Sequence, residues 1–304
     1  MPNALAHFGI QGVLTRSVIP TADPKLIFLG CILPDVPWIL QRVLLGLVPG
    51  IDPYSLRLYV IVQASLFMTM VLCAALASLS HTPGIIFGIL ASSAVVHLAL
   101  DALQIKWANG VHFFAPVSWE LFTVGWFWPE SWPTYLLTSL GFGYVLWSWK
   151  STITVQPFFL PWSLRRNSLC LGLFLVYMTL PLAFLDGPLL ADNHFVKTLI
   201  ATDARVGRPV EFDRKLYVKG SEGDALKGFG EVFKLRGKSL DHQATVSIRG
   251  RFVELDTIEL VDIHAHDSWF RNGSSYIGLL ALAGMWAIAS WRYYHCANRD
   301  TSIQ

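Results

Sequence analysis

A histidine and an aspartate in one apolar segment are the residues of this sequence with the clearest chemical potential. In the segment AVVHLALDAL, His97 and Asp101 are four residues apart, so a helix presents both side chains on one face. Imidazole and carboxylate groups together suit a divalent ion, zinc above all, at about 2.0 to 2.2 Å. The same spacing also allows a simple hydrogen bond that hides two polar groups, and this pair alone leaves both interpretations open.

Carboxylates are rare in the first part of the chain. The first 185 residues contain only six: Asp23, Asp35, Asp52, Asp101, Glu120 and Glu130. Asp35 and Asp101 lie within or beside apolar runs, where an unpaired carboxylate in a membrane costs at least about 2.5 kcal/mol. Because such a residue needs a partner or a water-filled cavity, both are candidate functional residues.

A tryptophan-rich segment, residues 107–132, adds further polar candidates. Its five tryptophans predict a loop at a membrane interface, where amphipathic rings settle at the headgroup level. An aromatic belt explains the tryptophans but not His112, which follows Asn109 and Gly110. We expect His112 to be either a proton donor or metal ligand, or a plain interfacial residue, and Glu120 to be a proton-transfer group or simply solvated.

A second histidine pattern occurs late in the chain, in VDIHAHD. His264 and His266 share one face of a strand, and Asp267 follows them. His-x-His occurs in zinc hydrolases, so this segment is a rival metal site, although the pattern is weak by itself.

The elements that must position these residues follow from the distribution of charge. The chain has 304 residues, 53% of them hydrophobic and 14% charged, and residues 186–272 hold 27 of its 44 charged side chains. This division predicts a membrane protein with one water-soluble insert. The net charge of +2 provides no basic excess for neutralising phosphates, so we expect no nucleic-acid partner.

Apolar runs of spanning length are each near the roughly 20 residues that a membrane helix needs. They lie at 58–79, 84–104, 133–149, 168–186 and 275–291. A sixth run, 26–48, contains Pro34, Asp35 and Pro37 and is predicted to be a broken or re-entrant helix. The first 20 residues are too polar for a signal peptide and predict a retained helix against the bundle.

The basic residues of the short loops predict the orientation. Lys150, Arg165 and Arg166 lie between two spans, and Arg292 and Arg299 follow the last one, so both regions are expected in the cytoplasm. The insert between them is then extracytoplasmic. To bring the N-terminal residues and Asp101 together, the first segments must be re-entrant or half-spanning.

The insert has the alternation typical of β structure. Period-2 runs occur in PVEFDRKLYV, QATVSIRGRFVEL and TIELVDIHAH, and KGSEGDALKG is predicted to be a turn. The fold class expected for the chain is an α-helical integral membrane bundle of about five to six membrane helices, some re-entrant, with an inserted small β domain, an OB-like barrel.

Several of these features together resemble one bacterial family. They are His7 in an N-terminal helix, Asp35 in LGCILPDVPW, the HLALD segment and Gly110 in NGVHFFAPVSWELF. In these residues the chain resembles the YdjM-like group of predicted inner-membrane, metal-dependent hydrolases, over about residues 1–150. The resemblance implies a metal site like that of helical zinc-dependent phospholipases C, with His7, Asp35, His97 and Asp101 as ligands.

One departure from the family pattern affects this expectation. Many relatives carry a His-Arg-x-x-Thr-His element before the His-x-x-x-Asp helix, whereas here the stretch is DPYSLRLYVIVQ and contains no histidine. The set of ligands is therefore expected to be smaller, with His112 or His81 as a substitute, or the metal to be weakly bound or lost.

The expected function is a membrane-bound hydrolase of the bacterial inner membrane, multi-pass, acting on a lipid or lipid-linked phosphoester. In it a divalent ion, zinc, activates a water that Asp35 or Asp101 orients, and His112 protonates the leaving group. Four regions are expected: 1–150 as the hydrolase-like domain, 151–186 as a loop and span, 187–273 as the β domain, and 274–304 as the last span and tail.

Two other functions fit the same sequence. In the first, the helices only anchor the chain and the external β module, residues 187–273, binds an envelope protein partner. In the second, Asp35 and Asp101 form a carboxylate relay in a small transporter, although no inverted repeat is visible. Convergence of His7, Asp35, His97 and Asp101 would favour the hydrolase over the anchor.

Overall fold

A buried N-terminal helix organises the helical part of the molecule. The computed structural model describes residues 3–154, 163–221 and 223–301. Helix α1 (Ala4–Val18) begins after Asn3, whose side-chain oxygen accepts a hydrogen bond from the backbone N–H of Ala6. The predicted N-terminal helix is therefore present, and it lies inside the bundle. The other helices are α2 (Pro24–Ile32), α3 (Val36–Leu47), α4 (Pro53–Gln63), α5 (Leu66–Ser78), α6 (Pro83–Ala102), α7 (Trp132–Thr154), α8 (Leu164–Thr179), α9 (Asp186–Ala191), α10 (Val196–Ile200) and α11 (Ser268–Thr301).

Glycines allow the central helices to approach closely. A Cβ atom on Gly9 of α1 would lie 2.4 Å from the Cα atom of Gly141 in α7, so the two backbones are in contact. A Cβ atom on Gly30 of α2 would lie 2.8 Å from the backbone oxygen of Leu90 in α6. The first crossing joins α1 to α7 and the second joins α2 to α6. Helix α1 also contacts α2 and α6, around a shared core that includes Phe8.

Four helical segments in the described part of the chain are long and apolar enough to cross a membrane: Pro24–Leu47, Pro83–Ala102, Leu164–Ala191 and Trp269–Tyr293. A fifth is possible if α4 and α5, which meet at 67°, together form one broken span. The sequence predicted a single helix at 58–79, but the chain bends at Ala64, and the Ser65 hydroxyl caps the start of α5. The predicted span at 133–149 is helical and forms α7. It is not among the segments apolar enough to cross a membrane, because its tryptophan, serine and threonine residues lower its mean hydropathy.

The helix of the 26–48 run is broken near its middle. Residues Leu33–Asp35 form a single 3-10 turn between α2 and α3, and Pro34 lacks the backbone N–H that a continuing helix would need. The break leaves Asp35 at the helix junction, buried at 7% exposure. The predicted interruption is present as this 3-10 turn, but Pro24–Leu47 still counts as one segment long enough to cross a membrane, so a broken or re-entrant span stays a prediction.

The insert forms a closed barrel of five strands: β1 (Pro209–Val218), β2 (Asp224–Gly228), β3 (Glu231–Arg236), β4 (Ala244–Phe252) and β5 (Thr257–His266). The strand order around the barrel is β1, β2, β3, β5, β4, with β3 and β5 parallel and the other pairs antiparallel. Phe212, Phe233 and Phe252 fill its core. The predicted small barrel is therefore confirmed, with the strand number of an OB-type barrel.

One prediction for the insert was wrong. KGSEGDALKG was expected to be a turn, but its last five residues form β2, which pairs with β3 in a hairpin. The two connecting residues, Phe229 and Gly230, have φ values of +55° and +82°, as a two-residue hairpin turn of the primed type requires. The strand was missed because it has only five residues and has glycines, which are typical of turns, at both ends.

Candidate functional site

Three separate elements bring the predicted ligands together. His97 and Asp101 lie one turn apart on α6, His7 projects from α1, and Asp35 lies at the junction of α2 and α3. All four side chains are buried. The close crossings of α1, α2 and α6 explain the convergence, because each of these helices carries one part of the cluster.

The distances between the ligand atoms are short enough for one ion to lie among them. His7 Nε2 lies 3.6 Å from Asp101 Oδ1, and His97 Nε2 lies 3.9 Å from Asp101 Oδ2. Ligand atoms of these three residues all lie within 4.8 Å of one another. Asp35 Oδ1 is 3.5 Å from His97 Nε2 and completes the cluster on one side. We call these four residues the His/Asp cluster.

The polar atoms of the His/Asp cluster do not satisfy one another. Among the described residues, His7 Nε2, His97 Nε2 and Asp101 Oδ1 are buried and have no hydrogen-bond partner. Buried polar groups are normally paired, and the 3.9 Å gap between His97 and Asp101 is too long for a hydrogen bond. A divalent ion would satisfy all three atoms at once, so this group of residues could hold a metal ion.

Gln11 orients one of the imidazoles. Its side-chain amide lies 3.3 Å from His7 Nδ1, one turn along α1. With the amide oxygen turned toward His7, this oxygen accepts from His7 Nδ1–H and from the backbone N–H of His97, while the amide nitrogen donates to Ser93 O. That arrangement leaves the lone pair of His7 Nε2 directed at the cluster, as an outer partner of a metal ligand does.

Lys106 neutralises one side of Asp101. Its Nζ atom donates to Asp101 Oδ2 at 2.8 Å from the loop that follows α6. The second carboxylate oxygen, Oδ1, keeps no such partner among the described residues and faces His7. The loop therefore reduces the charge of the cluster without occupying the atom that an ion would use.

His112 lies in a different environment, paired with a second histidine. Its Nε2 atom is 3.0 Å from His194 Nε2, and both rings are buried between the tryptophan-rich loop and the segment before the barrel. Burial lowers the pKa of His112 to about 4, and the charge of Arg57 adds to this effect. A hydrogen bond with the backbone of Trp119 opposes it. The imidazole is therefore neutral at pH 7.

The two other predicted residues of this region lie outside the His/Asp cluster. Glu120 is exposed, and His81 is paired with Arg166 at 2.9 Å.

The rival histidines of the insert belong to a second group, with Glu130 of the tryptophan-rich loop. Glu130 accepts from Arg214 at 2.6 Å and contacts His266 at 3.1 Å, while the His264 ring stacks on Trp128 at 3.7 Å. Burial favours the protonated carboxyl, but the two histidines and Arg214 hold the pKa of Glu130 well below its usual range. Arg214 and His266 both contact Oε1 of Glu130, and this group joins the loop to the barrel. Glu130 Oε2 and His264 Nε2 lie 3.6 Å apart without hydrogen-bond partners in the described part of the chain, so Glu130, His264 and His266 are a second group that could hold a metal ion. Asp267 is exposed and is not one of its members.

One cavity joins these features. It has a volume of about 560 Å³ and lies between the helices and the barrel, with Asp35, Asp101, His112, His194 and His266 in its wall. The sequence did not predict that residues of the insert line the same cavity as the His/Asp cluster. It also missed Gln11, Lys106 and His194, for which the spacing of residues gave no signal, because their partners lie on other elements.

No protein-family model matches the chain, and the comparisons with curated proteins and with solved structures find no significant similarity.

Proposed function

We propose that this protein is a membrane-bound, metal-dependent hydrolase. The observation that carries the proposal is the convergence of three buried residues, His7, His97 and Asp101, which have facing atoms without hydrogen-bond partners among the described residues. Asp35 lies beside them, 3.5 Å from His97. Resemblance to the YdjM-like hydrolases over residues 1–150 supports the same function. The cluster fits zinc better than calcium or magnesium because two of its four ligands are imidazoles.

The chain contributes the ligands and their orientation. His7, His97 and Asp101 would hold the ion, with Gln11 fixing the tautomer of His7. When bound, such an ion lowers the pKa of a water and polarises an ester or phosphoryl oxygen. Asp35, beside His97 and in the wall of the cavity, is the carboxylate that we assign to orienting the attacking water.

His112 lines the same cavity, but its chemistry differs from the expected proton donor. Because its pKa lies near 4, His112 is neutral at pH 7 and is not the imidazolium acid that was expected from the sequence to protonate the leaving group. The 3.0 Å contact with His194 lets the pair act as a proton relay at the wall of the cavity. We therefore assign His112 to proton transfer rather than to metal binding.

The substrate class that we propose is a lipid or lipid-linked phosphoester. The cavity adjoins α3 and α6, which belong to the segments that are long and apolar enough to cross a membrane. Apolar side chains of α3, such as Leu40, Leu44 and Leu47, are exposed as in a helix that faces lipid. We place the protein in the bacterial inner membrane, with the barrel outside the cytoplasm.

Metal analysis of the full-length protein, purified in detergent, tests this function. We expect about one zinc ion per chain, and loss of most of it in His97→Ala and Asp101→Ala. His81→Ala is the matched control, since this histidine is exposed and lies outside the cluster. Metal content that does not change in the two cluster variants would contradict the proposal and would support the anchor with an external binding module.

A further inference from the structure

The barrel turns three consecutive charged residues toward the cavity. The register of β1 with β4 shifts between Phe212 and Lys215, and Arg214 within this bulge has a φ value of +50°, unusual for a residue with a side chain. Bulges occur near functional sites because they redirect side chains. Here the bulge places Asp213, Arg214 and Lys215 in the wall of the cavity together.

Most charges around the cavity are already paired. Lys106 is paired with Asp101, Arg214 with Glu130, and Glu211 with Arg249 at 2.7 Å. Asp213 accepts hydrogen bonds from Asn109 Nδ2 at 3.0 Å and from Ser247 Oγ at 3.1 Å. Four other cations lie in the wall: Arg42, Arg57, Lys215 and Arg271. Arg42 is exposed to solvent and Arg271 has an interaction partner of its own, so Arg57 and Lys215 are the two that remain to be explained.

Arg57 of α4 and Lys215 of β1 make no ion pair with a carboxylate in the described part of the chain. Arg57 lies over the Trp38 ring at 4.6 Å, and its buried Nε atom has no hydrogen-bond partner there. Arg57 Nη2 is 3.3 Å from His194 Nδ1, but that nitrogen is also 2.9 Å from Ala108 O. His194 Nδ1 cannot donate a hydrogen bond to Ala108 O and accept one from Arg57 at the same time. When it donates to Ala108 O, the guanidinium of Arg57 has N–H groups without an acceptor.

Lys215 is in a similar position. Its Nζ atom lies 3.9 Å from the centre of the Phe229 ring. Burial first, and then the charge of Arg57, lowers its pKa to about 8, against an opposing contribution from Asp213. Two neighbouring, partly buried cations without carboxylate partners are costly unless an anion joins them.

We propose that Arg57 and Lys215 form an anion subsite for the phosphate group of the substrate, in the cavity that Asp35 and Asp101 of the His/Asp cluster also line. This inference rests on the proposed function, and it specifies that the substrate is a phosphoester rather than a carboxylic ester or an amide. The guanidinium provides a fork of donors for two phosphate oxygens, and the ammonium provides a point charge. The barrel is then a part of the binding site, since β1 supplies one of the two cations.

Phosphate binding to the full-length protein tests the subsite. Isothermal titration calorimetry in a maltoside detergent would use two ligands, inorganic phosphate and phosphatidic acid in mixed micelles. Arg57→Gln and Lys215→Met should each weaken binding at least about tenfold, since a hydrogen bond to a charged group accounts for that much. Lys227→Met is the matched control, because this lysine is exposed on β2. Tighter binding of phosphatidic acid would identify a lipid headgroup as the source of the phosphate, and tighter binding of inorganic phosphate a water-soluble one.

A second variant and a second readout separate folding from binding. Lys215→Arg keeps the charge and should keep at least a third of the affinity, and zinc content should be unchanged in all Arg57 and Lys215 variants. If the purified wild-type protein binds phosphate but contains no zinc, the proposed hydrolase would be overturned and the anion subsite would remain. Absence of saturable binding of either ligand to the wild type would overturn the subsite. Affinity in Arg57→Gln and Lys215→Met equal to that of the wild type would overturn it as well.

Discussion

The orphaned nitrogen and oxygen atoms of the His/Asp cluster are the strongest sign of chemistry in the molecule. His97 and Asp101 could be predicted from sequence because a four-residue spacing fixes the face of a helix. Asp35 was a candidate because carboxylates are rare in apolar runs, but its role as a ligand and that of His7 were predicted only from the resemblance to a family. Lys106 and Gln11 could not be predicted, because their partners are set by tertiary packing and not by spacing.

Gln11 provides a test of how the ligands are oriented. Gln11→Leu removes the acceptor for His7 Nδ1–H but keeps the size of the side chain, so we expect zinc affinity to fall about 10- to 100-fold. Competition with a chromophoric chelator measures this affinity. Gln63→Leu is the control, since this buried amide lies on α4 and bonds Tyr59 instead. Equal zinc affinity in wild type and Gln11→Leu would contradict the assigned tautomer.

The buried pair of His112 and His194 makes stability depend on pH. Burial holds the pKa of His112 near 4 and that of His194 well below 6.5, so in acid the unfolded chain binds more protons than the folded one. The full contribution is present above pH 6.5 and is lost as the pH falls toward 4. For His112 it amounts to roughly 3 kcal/mol.

Thermal unfolding between pH 7.5 and pH 4.5 measures this loss. We expect the midpoint temperature to fall over that interval in the wild type, and to fall less in His112→Gln. His81→Gln should follow the wild type because His81 is exposed. A wild-type midpoint that stays constant over this interval would show that the pair is not buried as a neutral unit.

At the scale of elements, the approach of α2 to α6 determines where Asp35 lies. Alternation and charge predicted β1, β4 and β5 closely, and proline predicted the break at Leu33–Asp35. The bend between α4 and α5 and the short strand β2 were missed. The sequence signal of the bend is a serine cap, and that of β2 is a pair of glycines. Such local features are easily overlooked because the periodicity of the surrounding apolar residues dominates the prediction.

Gly30 tests the crossing of α2 and α6. In Gly30→Ala the new methyl group would meet the backbone of Leu90 at 2.8 to 2.9 Å, so the helices must separate. We expect a loss of about 1 to 3 kcal/mol in stability and a lower zinc occupancy, because Asp35 moves away from His97. Unfolding and metal content of the same samples measure both effects.

Gly88→Ala on α6 is the control, since no atom outside the adjoining backbone of its own helix lies within 4 Å of the position of its Cβ atom. It should be as stable as the wild type or slightly more so, because alanine favours the helix. Zinc occupancy that stays normal in Gly30→Ala would show that the crossing does not position Asp35.

At the scale of the whole molecule, the barrel and the helices share one cavity. The sequence predicted a membrane part and an insert from the division of charge, but it treated them as separate modules. No pattern in one part indicates its contacts in the other: Tyr54 of α4 stacks on Phe229 of the barrel at 5.3 Å, and Glu130 bonds Arg214. The extracytoplasmic side of the barrel stays a prediction from loop charges.

Glu130 tests the attachment of the tryptophan-rich loop to the barrel. Glu130→Gln removes the charge that holds Arg214 and His266, so we expect hydrogen exchange at residues 126–131 and at the end of β5 to accelerate at least about tenfold. The control is Glu254→Gln, which breaks an exposed pair with Arg236 of the same 2.6 Å length and should change little. Equal exchange in the two variants would contradict this attachment.

The wall of the cavity also has a consequence for how the chain folds. Asp35 and Lys215 line one cavity but are 180 residues apart in the sequence, so their approach closes a very long loop. Such distant contacts form late, after local helices and the barrel hairpin. Zinc retention and phosphate binding should therefore appear in that order during refolding, since the cluster needs only residues up to 101 whereas the anion subsite needs the barrel.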